Sequence, residues 1–482
     1  MKSVAPVFLA CLYLSFAAGS QADTLQEIYE LALENDAELR AQEAVYLANK
    51  ESINLGRAAL LPQINANYDY TNTDRDTDAE SIDFNEDSGE FEPINTFSNV
   101  DADREGYEVS LSQAIFDLPA WFSFQSGKEQ TREAEAVFAS DQQNLIVRVV
   151  QTYLGVLRAQ DNRLASAARE NAFKRQLEQT QQRFEVGLIA ITDVHEAHAA
   201  FDLARVDRIV DENEVNVALE ELSVLTGRYH SNLHLLSPDF KVNPPEPADR
   251  SEWVDFALEN NFLLTAARYS EEAARQSAKA NKMEHMPKVS GSLGYSDYET
   301  DGELTRNPQS LFDLSPNQRD EQQVIQLRVD LPLYSGGAIS AQRRRAVQNY
   351  NAAREQRINL MRNTVTKARS LHMTVMSDIS RVSARHLTIT SSQSALDATT
   401  AGYEVGTRNI VDVLDAQNVV FAAQRDYANA RYDYITNILL LKEQAGLLSP
   451  EDIYYLERFL IAPPAPTASR RTDSPYPEEA AN

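Results

Sequence analysis

The sequence predicts a mixed α/β fold, mainly helical, built from two tandem copies of one helix–strand–strand–helix unit. Three observations predict it: ordered internal matches, four segments that alternate with period two, and two very long stretches of helical periodicity.

The internal matches come first. Ala32-Leu33-Glu34-Asn35 recurs as Ala257-Leu258-Glu259-Asn260, and Pro62 recurs as Pro287, both at an offset of 225. Phe184-Glu185-Val186-Gly187 recurs as Tyr403-Glu404-Val405-Gly406, Asp193-Val194 as Asp412-Val413, and Gly227 as Gly446, all at 219. The change of six between Pro62 and Phe184 places a slightly longer insert in the first copy. The first copy is expected over 23–230 and the second over 251–455, joined by a linker over 231–250 that contains Pro244-Pro245-Glu246-Pro247. Each copy reads as a helix (24–60, then 250–285), two strands (within 62–117, then 287–334), a long helix (119–185, then 337–404) and a second helix (193–227, then 411–446). Ser449-Pro450-Glu451-Asp452 is a helix start, with proline at the first helical position and acids in the first turn. The Pro/Ala/Ser/Glu-rich tail over 463–482 reads as disordered.

The strand segments each have one apolar and one polar face. Ile64, Ala66, Tyr68 and Tyr70 alternate with Asn65, Asn67, Asp69 and Thr71, and Tyr107, Val109 and Leu111 with Glu108, Ser110 and Ser112. Val289, Gly291, Leu293 and Tyr295 do the same, as do Ile325, Leu327, Val329 and Leu331. Runs of about 9–11 residues suit tilted membrane strands. The same alternation suits a soluble sheet packed on helices. Two facts favour the membrane. Asp74 to Glu105 holds twelve acids against Arg75 and Arg104, and reads as an exposed loop. Small closed barrels need about eight strands, so four membrane strands require a barrel shared between subunits.

The long helical stretches would each run roughly 100 Å. Leu371, Val375, Ile379, Val382, His386, Ile389, Gln393 and Leu396 step by threes and fours, as do Ile146, Val149, Tyr153 and Val156. That spacing marks a narrow seam of coiled-coil type. A secreted coiled-coil stalk or adhesin without a pore would account for the helices, but not for the duplicated strand pairs.

Composition narrows the function. Lys2, the apolar run Val7 to Phe16 and Ser20-Gln21-Ala22 form a signal peptide over 1–22, cleaved after Ala22. The only cysteine, Cys11, lies inside it, so the mature chain has no thiol chemistry. The net charge of −27 argues against nucleic acid as a partner. No mature stretch reaches the about 18 apolar residues of a transmembrane helix. His195-Glu196-Ala197-His198 has its histidines three apart, where the zinc-protease pattern needs four, and reads as solvated helix. No catalytic, metal or cofactor motif is apparent, and the chain does not read as an enzyme. Asp412 and Asp415 share one helix face. They suit the first turn of a helix dipole, or, repeated around an axis, a ring of crowded carboxylates that attracts cations.

The turns carry a family resemblance. Phe184-Glu185-Val186-Gly187-Leu188-Ile189-Ala190-Ile191-Thr192-Asp193-Val194 and Ala401-Gly402-Tyr403-Glu404-Val405-Gly406-Thr407-Arg408 through Asp415-Ala416 resemble the two helix turns of the TolC family of outer-membrane efflux channels. Leu61-Pro62-Gln63, Gln113 with Phe116-Asp117, and Leu331-Pro332-Leu333-Tyr334 with Gly336-Gly337 fit the same family. The resemblance runs from about residue 24 to about 455. It implies a homotrimer whose twelve-stranded transmembrane barrel, four strands per chain, continues into an α-helical periplasmic tunnel. It implies a passive duct, used in multidrug efflux and type I secretion, that meets outer-membrane lipid, a periplasmic adaptor (membrane fusion) protein and an inner-membrane pump of RND, ABC or MFS type. By the same resemblance Asp412 and Asp415 form acidic rings at the periplasmic constriction. Arg408, Tyr403, Thr192 and Asp193 tie the inner coil to its neighbours, and Gln176 bonds an acid at the position of Thr400. That acid is missing here.

Overall fold

The computed structural model describes residues 23–85, 89–307 and 316–463. The signal peptide expected over 1–22 lies outside the described residues, as does the tail from 464 onward. The described residues divide into two compact units, one within 45–137 and 265–360, the other of residues 23–44, 138–264 and 361–463.

The first unit holds a four-stranded antiparallel sheet: β1 (Gln63–Asn85), β2 (Glu90–Phe116), β4 (Lys288–Asn307) and β5 (Gln318–Asp330), in spatial order β1-β2-β4-β5. The central β2–β4 pairing joins the two repeats, and β1 and β5 are left as edges. The register brings the alternating segments into one surface. Ile64 faces Leu111, Leu111 faces Leu293, and Leu293 faces Ile325, so a single apolar row crosses all four strands. Val289 opposite Val329 continues it on one side, and Val109 opposite Tyr295 and Tyr68 opposite Tyr107 on the other. Ile325 is 86% exposed in the protomer. A large apolar face left open to this degree is a lipid or protein contact surface. The Tyr68 and Tyr70 hydroxyls donate to Glu105 and Asp103 at 2.8 Å, where the apolar rows give way to polar ones. Such tyrosines suit the girdle of a membrane barrel.

Two expectations fail in this sheet. The acid-rich stretch is not a loop: β1 runs on to Asn85 and β2 starts at Glu90, with Asp74 directly opposite Asp101 and Asp101 opposite Glu303. The strands are also longer than one membrane crossing, with 23, 27, 20 and 13 residues. Asp and Asn are poor strand formers and facing acids repel, which hides these strands from a propensity reading. The ladder begun in the apolar rows carries the pairing outward, and Asn99 donates to both Asp74 and Asp76, at 2.7 and 2.9 Å.

All four strands meet helices at the same end. β1 follows α3 (Ser52–Ala58), β2 leads into α4 (Leu118–Glu185), β4 follows α7 (Phe262–Met283), and β5 leads into α8 (Ala338–Glu404).

The second unit holds α1 (Leu25–Asn35), most of α2 (Ala37–Lys50), α5 (Ile191–Thr226), α6 (Arg250–Asn260), α9 (Ile410–Gln444), α10 (Pro450–Glu457) and the pair β3 (Leu235–Leu236) with β6 (Leu460–Ile461). Its core gathers Leu25, Ile28, Ile146, Val149, Tyr153, Val156, Leu222, Trp253, Tyr432 and Ile453. Charged bonds cross between the repeats: Arg158 pairs with Asp433 at 2.6 Å, and the Tyr432 hydroxyl donates to Asp161 at 2.6 Å.

The single helices expected over 24–60 and 250–285 are broken. Asp36 and Asn261, 225 apart, have matching extended backbones with ψ of 112° and 120°. The Asp36 carboxylate accepts from the amides of Glu38 and Leu39, and the Asn261 side chain from that of Leu264. These caps compete with the continuous helix. A further break at Glu51 separates α2 from α3. The linker 231–250 is packed, with β3 inside it, and the Trp253 indole donates to the Pro247 carbonyl at 2.7 Å. His386 is an exposed residue set edge-on to Tyr427 at 5.4 Å, and Gln393 is likewise exposed, whereas Ser392 is buried.

Leu293 sits in the middle apolar row. Leu293→Arg is expected to cost about 2–4 kcal/mol, the depth-dependent penalty of a barrel's lipid face. Reversible denaturant unfolding in lipid vesicles reads that cost, with Ser292→Arg on the opposite face as the control.

Candidate functional site: the paired helix turns

The two turns are copies in geometry as well as in sequence. α4 ends at Glu185 and α8 at Glu404. Gly187 and Gly406 follow with φ of 78° and 79°, a conformation that L side chains rarely adopt. In the first turn the Gly187 amide donates to the Phe184 carbonyl at 2.8 Å and the Leu188 amide to that of Arg183 at 2.9 Å. In the second, Gly406 donates to Tyr403 at 3.1 Å and Thr407 to Gly402 at 2.9 Å. Both are Schellman closures, which satisfy the last carbonyls of a helix.

The copies differ at the start of the returning helix. α5 begins after Ala190, which has no side-chain cap. α9 begins after Asn409, whose side chain accepts from the Asp412 amide at 2.8 Å, while the Asp412 carboxylate accepts from the Asn409 amide at 3.4 Å. Arg408 lies 3.8 Å from the same carboxylate. Asp412 is therefore a structural cap and a charge partner together. Asp415, one turn on, is exposed and forms no ion pair among the described residues.

Below the turns, Phe173, Ala204, Ile410 and Leu414 form a small core with Phe201 and Tyr403 packed against it. Arg183 stacks over the Tyr403 ring, its guanidinium 4.9 Å from the centroid. The sequence reading missed this contact, because its partners lie 220 residues apart and no motif couples them. The Tyr403 hydroxyl is buried and has no hydrogen-bond partner among the described residues. A cavity of about 490 Å³ opens beside it, lined by Gln176, Gln179, Arg183, Thr400, Tyr403 and Glu404. Gln176 and Thr400 thus face one space, with no bond between them among the described residues. Thr192 donates to Asp193 at 3.4 Å. Within the protomer neither Arg408 nor Tyr403 bonds Thr192 or Asp193 among the described residues. His198 of the His195 motif pairs instead with Asp202 at 2.9 Å, both side chains being exposed.

Comparison with known proteins decides the family. The family model of the outer membrane efflux proteins matches residues 28–228 and again 253–447. The chain belongs to the outer membrane efflux protein family. The two matched blocks follow the duplication. The chain is 33% identical to the outer membrane protein TolC of Escherichia coli K12, over 96% of this chain and 90% of that one. It is 29% identical to the alkaline protease secretion protein AprF of Pseudomonas aeruginosa, over 93% and 90%. Among solved structures, the outer membrane protein VceC of Vibrio cholerae shares the fold, with a TM-score of 0.69 at 17% identity, covering 88% of this chain and 96% of that one. As a member of this family the chain is an outer-membrane channel protein. These relatives give no support to the secreted stalk or adhesin, and the family is one of conduits rather than enzymes.

Removing the Asn409 cap is expected to loosen only the second turn. Asn409→Ala should lower protection of the first α9 amides by about 0.5–2 kcal/mol. Hydrogen exchange read by mass spectrometry checks this, with the first turn of α5 unchanged.

Proposed function

We propose that three copies of this chain close into one twelve-stranded barrel and form the passive exit duct of efflux pumps and type I secretion systems. The observation that carries this reading is the open sheet with its unbroken apolar face. Backbone groups on the free edges of β1 and β5 have no water to bond in a bilayer. Pairing β5 of one protomer with β1 of the next, head to tail around a threefold axis, satisfies them and closes the ring. The helical side then lies in the periplasm, where an adaptor and an inner-membrane pump of the RND, ABC or MFS class dock. Drugs, toxic small molecules or proteins pass without ATP or proton use by the duct itself. A trimer that fractionates with the outer membrane and conducts in planar bilayers is the expected result. A monomer released by washing would refute it.

The turns form the gate in this reading. In this reading Arg408 reaches Thr192 and Asp193 across the protomer boundary; within the protomer it bonds neither among the described residues. Tyr403 is held from inside the protomer by the Arg183 stack. That contact offsets the acid missing at Thr400, because a cation over an aromatic face contributes about 0.5–2 kcal/mol. Arg408→Ser with Tyr403→Phe should raise single-channel conductance, and adding Arg183→Ala should raise it further. Unchanged conductance in the double variant would remove the gate from these residues.

Asp412 and Asp415 stand as rings of carboxylates at the constriction. Cation selectivity, measured as a reversal potential in a salt gradient, should weaken in Asp412→Ala with Asp415→Ala. Asp415→Ala alone should do most of this, because Asp412 is already engaged by Asn409 and Arg408.

A further inference from the structure

The chain carries a net charge of −27, yet residues 331–354 contain no acid and four arginines. Three of these, Arg343, Arg344 and Arg345, are consecutive. They lie in the second turn of α8, are exposed, and form no ion pair among the described residues. Local helix energetics do not explain them. A helix start favours acids, and the first turn of α8 has none. Arg344 lies roughly opposite the buried Ala346, so it projects away from the packed side of the helix.

Their position in the fold does explain them. Seven residues join the end of β5 at Asp330 to the start of α8 at Ala338. Within that link Leu333 and Tyr334 are each 88% exposed, and they follow the exposed Val329 and Leu331 along the chain. At the corresponding junction of the first repeat Trp121, in the first turn of α4, is 47% exposed beside Phe124. Exposed Tyr and Trp at the rim of an apolar band mark the membrane–water boundary. The arginines therefore begin about one to two helical turns beyond that boundary, within reach of headgroups for a side chain of this length.

We propose that Arg343, Arg344 and Arg345 form a docking patch for anionic phospholipid headgroups of the leaflet on the helical side of the sheet. Guanidinium forks match phosphate oxygens in bidentate geometry, and the patch follows the exposed Leu333 and Tyr334 by about ten residues of chain. The assignment rests on the sheet's being in the membrane. It fastens the chain at the level where strand becomes helix, and it makes retention of the duct depend on the charge of the leaflet.

The test uses the full-length protein extracted in detergent, with phosphatidylglycerol and phosphatidylcholine as probes at equal concentration and native mass spectrometry as the readout. The parent should retain phosphatidylglycerol on the order of tenfold over phosphatidylcholine. The triple variant R343Q/R344Q/R345Q should fall close to parity, and the triple lysine variant, which keeps the charge but not the bidentate fork, should fall between it and the parent. Conductance in a neutral bilayer should be the same for parent and variants, which separates failure of this patch from failure of the barrel reading. A glutamine variant that keeps the parent's preference overturns the proposal. So does equal competition by inorganic phosphate, which would make the patch a simple anion site. A glutamine variant with unchanged lipid preference but impaired export in cells would assign the arginines to a protein partner instead. Should the triple variant fold poorly, Arg344→Glu alone is expected to halve the preference or more, and no change there would also overturn it.

Discussion

A strand edge exposes amide and carbonyl groups, and hydrocarbon offers them no partner. Much of this molecule follows from that constraint. One protomer supplies four strands and two edges. The sheet is nearly complete within itself in every other respect: its strands pair with a single register shift, between Ala114 and Phe116, its apolar rows share one face, and its helices leave from one end. A duplicated unit meets the constraint economically. Each repeat contributes one hairpin, and the β2–β4 seam between repeats uses the same antiparallel pairing that joins one protomer to the next in the proposed ring.

Duplication also explains the tip. The same glycine conformation and the same two backbone bonds close both turns. A shared scaffold frees the side chains to diverge. Ile189 stands where the second copy has Arg408, Ala190 where it has Asn409, and Glu196 where it has Asp415. The second turn has a capped helix and a cation that the first lacks, while the first supplies Arg183 as the brace for Tyr403. At the tip the copies thus differ at Arg408 and at the cap of the returning helix.

Charge is distributed with the same logic. Acids concentrate on the outer hairpin, where facing carboxylates are tolerated because strand pairing is already established below them. Basic residues are gathered where β5 becomes α8. The pattern along the chain is uneven enough that the net charge describes neither end of the sheet.

Internal matches and periodicity together determined the fold class. Spacings of three and four marked α4 and α8, and period two marked the inner parts of β1, β2, β4 and β5, because side-chain burial leaves those intervals in the sequence. The turns were legible because Gly187 and Gly406 must adopt a backbone that few residues tolerate. Other features left no local trace. The outer strands hide behind acids that disfavour strands, and the breaks at Asp36 and Asn261 hide inside helical periodicity. The Arg183–Tyr403 stack joins residues with no shared motif. Only the tertiary structure decided the register that sets Ile64, Leu111, Leu293 and Ile325 in one row. A one-residue slip would turn the slipped strand's apolar set to the wrong face. Each strand's own pattern says which face is apolar, but not at what height its neighbour's apolar face begins.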